Sequence, residues 1–115
     1  MRSPNTAALL TALFLTSFVS LSVSAAASIS LSSDSMAKAA TTDDPAEYTI
    51  TVLNDGDEDL TVTLSTSQAA DCNGFTSNLD SSVVNVGQGD FEEVTLTVSI
   101  NEQASGECET TVNAN

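Results

Sequence analysis

From Tyr48 onward the chain alternates between apolar and polar residues. Tyr48, Ile50 and Val52 fall on one parity, and Thr49 and Thr51 on the other. Successive side chains of a strand point to opposite faces, so a period of two predicts a strand with one apolar and one wet face. The pattern recurs. Leu60, Val62 and Leu64 alternate with Thr61 and Thr63, and Val94, Leu96, Val98 and Ile100 with Thr95, Thr97 and Ser99. Cys108, Thr110, Val112 and Ala114 share a parity in a last strand over Glu107–Ala114. Shorter pieces at Ile29–Ser32, Phe75–Leu79 and Ser82–Val86 complete about seven strands. Ser35–Ala40 reads as a turn of helix closed by Thr41, Thr42 and Pro45.

The connections have turn chemistry. Asn54-Asp55-Gly56-Asp57-Glu58-Asp59 and Gly87-Gln88-Gly89-Asp90 are rich in residues that tolerate left-handed backbone. One wet face per strand implies antiparallel sheets. Two such sheets bury their apolar faces against each other, giving an all-β, immunoglobulin-like antiparallel β-sandwich.

The first residues break the pattern. Met1-Arg2-Ser3 is a positive start, Ala7–Val23 carries no charge, and Ser24-Ala25-Ala26-Ala27 supplies small residues. This is the layout of a secretory signal peptide, with a signal helix and cleavage after Ala25 or, second, Ala27; a retained anchor is the alternative. The chain then divides into a leader over 1–25, an edge strand and linker over 26–45, and a sandwich over 46–115.

Certain segments resemble the immunoglobulin-like modules of archaeal and bacterial surface proteins, of the alpha-galactosidase-associated and cell-adhesion types. The resemblance rests on Tyr48-Thr49-Ile50-Thr51-Val52-Leu53-Asn54-Asp55-Gly56, Leu60–Leu64, Gly74-Phe75-Thr76, Val94–Val98 and Glu109–Ala114. It implies an extracellular, non-catalytic module with spacing, adhesive or structural work. Gly87-Gln88-Gly89 stands where the family usually has Pro-Gly.

Charge narrows the partners. Two basic residues face 16 acids, for a net charge of −14, and every acid follows Ser24. Nucleic acid and anionic membranes would be repelled, and the surface suits a salty exterior. The absence of histidine removes the commonest general base and metal ligand. Glu92 and Glu93 are adjacent on a strand and point to opposite faces, so they cannot act as one catalytic pair. A non-enzyme is expected.

Cys72 and Cys108 are the two cysteines, and in an exported chain they are expected to pair at one end of the sandwich. Asp55, Asp57 and Asp59 are candidate calcium ligands, with a solvated acidic turn as the alternative. No other cofactor is expected. Phe75 shares parity with Leu79 and belongs to the core, whereas Phe91 is the candidate for exposure and glycan contact. The expected role is a secreted or cell-surface structural or adhesive module, with a protein or glycan partner. The alternatives are a fibre subunit that donates Ile29–Ser32 to a neighbour, giving a homo-oligomer, and a carbohydrate-binding accessory module.

Overall fold

The computed structural model describes residues 15–23, 28–70, 72–104 and 106–115. Nine strands run in order: β1 (Leu15–Val23), β2 (Ile29–Ser33), β3 (Ala37–Ala40), β4 (Ala46–Asn54), β5 (Leu60–Gln68), β6 (Phe75–Leu79), β7 (Val83–Val86), β8 (Phe91–Ile100) and β9 (Glu107–Ala114). One sheet has the order β3-β1-β9-β5-β7 and the other β2-β4-β8-β6. The two pack face to face as the expected all-β sandwich. The alternation explains why. In β4 every second residue from Ala46 to Asn54 is buried, and in β8 the buried set is Val94, Leu96, Val98 and Ile100. These side chains meet Val62, Leu64, Val86 and Val112 of the facing sheet. Thr49, Thr51, Thr95 and Thr97 lie on the outer face, where β-branched side chains favour the extended backbone.

Two strand paths change sheet. The chain descends through β2 in one sheet and continues through β3 in the other; β6 and β7 do the same on the opposite flank. Both switches use an aspartate. Asp34 N–H donates to Thr49 O at 3.1 Å, and its carboxylate accepts from Thr49 N–H at 3.0 Å. Asp80 repeats this with Thr95, at 3.0 and 2.9 Å. Thr49 and Thr95 are register partners in β4 and β8. The two edge strands therefore peel away at one level. If each switching pair counts as one path, seven paths build the sandwich.

Two segments differ from the sequence expectation. Ser35–Ala40 is not a turn of helix: Ala37–Ala40 is β3, held by pairing with β1. Leu15–Val23, expected within a helical leader, is extended. It pairs antiparallel with β3 (Phe18↔Ala37, Leu15↔Ala40) and parallel with β9 (Thr16↔Glu107 through Val23↔Ala114). Tertiary pairing wins because this stretch also has a period of two. Leu15, Ser17, Val19, Leu21 and Val23 turn inward, while Thr16, Ser20 and Ser22 turn outward. The remaining leader residues and both expected cleavage points lie outside the described residues.

Candidate functional site

Three places carry chemistry. At one end of the sandwich, Cys72 and Cys108 form a disulfide with a Cα–Cα distance of 4.9 Å, joining the loop before β6 to the inner face of β9. Beside it the backbone folds tightly. Gly74 has φ +85°, and a Cβ there would stand 2.5 Å from the Ala104 backbone, so only glycine fits. Its carbonyl accepts from Asn101 N–H at 3.0 Å.

The acidic turn lies at the other end. Asn54 organises it from inside: its buried amide donates to Glu58 O at 2.7 Å and Val86 O at 3.0 Å, and its Oδ1 accepts from Gly56 N–H at 2.9 Å. Asp59 accepts from Gln88 N–H at 3.0 Å, linking this turn to Gly87–Asp90. Among the described residues, no three of His, Cys, Asp or Glu are grouped so as to hold a metal ion. Asp55, Asp57 and Asp59 thus share a turn without converging on a point. Phe91 opens β8 on the outer face and is 52% exposed, whereas Phe75 is buried, as its parity requires. Glu92 and Glu93 are both exposed.

The third place is the cleft between β3 and β9 that β1 fills. Tyr48 projects into it from the facing sheet and is fully buried. Its hydroxyl donates to the Ser17 backbone oxygen at 2.7 Å and lies 3.0 Å from Ser17 Oγ. Lys38, the register partner of Ser17 on β3, holds its ammonium 5.3 Å from the Tyr48 ring centre. It also bridges to Asp34 at 2.8 Å. That lysine hydrogen bond is the chief reason the Asp34 carboxyl titrates below its ordinary value, with the Thr49 N–H adding to it against partial desolvation. On the outer side, Ser20 and Thr111 hydroxyls are 2.7 Å apart. Thr110, opposite Val19, is fully buried, and its hydroxyl has no partner among the described residues.

Sequence reasoning placed the Cys72–Cys108 disulfide, the turn over 54–59 and the exposure of Phe91. It missed this cleft, with Ser17, Val19, Tyr48 and Thr110. The signal was present in the Leu-x-Ser-x-Val-x-Leu-x-Val spacing of 15–23, hidden beneath the density of apolar residues around it. No family model matches the chain, and no curated protein matches it either.

Proposed function

We propose that this chain is a non-enzymatic module of the cell exterior, secreted or held at the surface, with a structural or adhesive role. The Cys72–Cys108 disulfide carries this reading. A disulfide persists where thiols are not kept reduced, and a core with no tryptophan and one tyrosine gains from a covalent clip. The acidic composition supports it, because a strongly negative surface stays soluble in salt and repels nucleic acid and anionic lipid. Adhesion to protein or glycan is the work such a surface can do, with Phe91 the exposed aromatic available for stacking on a sugar ring.

The test is fractionation of the producing cells, with thiol-blocking before lysis. Protein recovered from the medium or the envelope, with Cys72 and Cys108 bonded, supports the proposal. Protein confined to the cytoplasm with both thiols free ends it. Binding to a glycan panel, lost in Phe91→Ala, would make the partner a sugar; binding unaffected by that change would place the contact elsewhere.

A further inference from the structure

The sandwich maps onto itself. β1, β2 and β3 have nine, five and four residues, and β5, β6 and β7 have the same lengths in the same order. Ile29, Ala37 and Thr49 of β2, β3 and β4 have counterparts 46 positions on, in Phe75, Val83 and Thr95 of β6, β7 and β8. Leu15 of β1 has its counterpart 45 positions on, in Leu60 of β5. Exchanging the four pairs of strands reads the orders β3-β1-β9-β5-β7 and β2-β4-β8-β6 backwards, which leaves both sheets unchanged. We infer that β1–β4 and β5–β8 are two copies of one unit within the chain, related by a two-fold axis, and that Leu15–Val23 therefore belongs to the working domain and is not shed with a leader after Ala25. The exterior reading is carried by the disulfide and stands apart from this.

Register repeats along with order. Leu15↔Ala40 becomes Leu60↔Val86, and Ile29↔Asn54 becomes Phe75↔Ile100. Thr49 and Thr95 are counterparts and also pair with each other, which places the axis between them. In the other sheet, Val112 of β9 stands between the counterparts Leu21 and Thr66. A two-fold rotation normal to a sheet reverses strand direction, so β1 and β5 run opposite ways. A single strand between them must be parallel to one and antiparallel to the other. That accounts for β1–β9, the one parallel pairing among the described strands.

The residues repeat as well. Leu15-Thr16 returns as Leu60-Thr61, and Asp34-Ser35 as Asp80-Ser81. Glu47, Thr49, Thr51 and Val52 return as Glu93, Thr95, Thr97 and Val98. Each aspartate clamps the threonine N–H of its own copy. The third and fifth residues of both β1 and β5 are buried, as is the last residue of both β3 and β7. Where core residues differ, size is traded. The first copy sets small Ser17 against the wide Tyr48, and the second has Val62 and Val94 at those positions, both buried. Cores accept such exchanges when total volume is kept.

A disposable leader must be apolar, but nothing requires it to copy the register of an internal strand. Leu15–Val23 does so, and it carries the pairing of its copy. β3 pairs with β1 alone among the described strands. Loss of β1 would leave β3 without a ladder and open one side of β9. It would also take the acceptor from the buried Tyr48 hydroxyl.

The test uses the full chain. Protein purified from the producing cells is expected to have an intact mass that includes Leu15–Val23. An exported chain that begins at Ala26 or Ser28 overturns the inference and leaves the exterior reading intact. Val19→Asp, in the core, is expected to lower the denaturant midpoint far more than Ser22→Asp on the exposed face of the same strand. Complete unfolding of Val19→Asp counts as that outcome, and equal effects overturn the inference. The repeat itself is tested by giving β1 the nine residues of β5, together with Tyr48→Val. This chain is expected to fold with Cys72 and Cys108 bonded and with the natural denaturant slope. The same exchange displaced by one residue turns the apolar positions outward and should not fold. Folding in both registers, or in neither, overturns the two-copy reading. Retention in the cytoplasm with free thiols fails the exterior reading instead.

Discussion

Thr110 is the residue at odds with its surroundings. Its hydroxyl is buried beside Val19 with no partner among the described residues, in a β9 that otherwise turns Cys108, Val112 and Ala114 inward. A buried polar group without a hydrogen bond costs about 1–3 kcal/mol, and valine has nearly the same shape. Thr110→Val is expected to raise stability by about 1 kcal/mol, read as a higher denaturant midpoint with an unchanged slope. Tyr48 and Asn54 show the opposite logic. Each is fully buried, and each directs its polar atoms to backbone groups of another strand or turn. Their partners are main-chain atoms apart from Ser17 Oγ beside the Tyr48 hydroxyl, and removal of either orphans several groups at once.

At the scale of the element, the sheet-switching aspartates decide where β2 and β6 end. Lys38 adds an ion pair to Asp34 alone. The folded carboxyl titrates below the ordinary 3.8, so its ionised form is favoured by folding. That stability is present above 3.8 and is lost as pH falls through the lower folded value. Asp34→Asn keeps an acceptor for Thr49 N–H but no charge for Lys38. The difference in Tm between the two proteins is expected to be small at neutral pH, since the pair is partly exposed, and to vanish at acid pH. A gap that widens on acidification would contradict this assignment.

Elements differ in how far they can be read from sequence. β4, β5, β8 and β9 are legible because each has one buried face and threonines on the other, a pattern only a strand satisfies. β3 is not. Ala37-Lys38-Ala39-Ala40 has good helix formers, and its strand state comes from β1, a neighbour about twenty residues away. β1 misleads because its density of apolar residues suggests a helical leader while its period of two suggests a strand. The disulfide is legible from cysteine count. The cleft is not, because it exists only once a topology brings β3, β9 and Tyr48 together.

For the whole molecule, the clip and the charge act in opposite directions. The Cys72–Cys108 bond spans a sequence separation of 36, for which loop-closure entropy gives roughly 4 kcal/mol. That is a large share of a small domain's stability. Reductant is therefore expected to lower Tm by many degrees; an unchanged Tm would mean the core suffices alone. Sixteen acids against two basic residues repel one another in the compact state. The screening length shortens from about 10 Å at 0.1 M to about 3 Å at 1 M salt. Tm is expected to rise with sodium chloride. Calcium at matched ionic strength should add nothing, since the carboxylates of Asp55, Asp57 and Asp59 do not converge.

The shared direction of β9 and the strand beside it has a mechanical meaning. A load applied to that strand at the disulfide end and to β9 beyond Ala114 pulls the two past one another. Every rung from Thr16–Glu107 to Val23–Ala114 is then strained together. Rungs loaded in unison must fail in unison, whereas antiparallel neighbours tugged from one end unzip singly. The joint that β1 makes with β9 is suited to bearing tension.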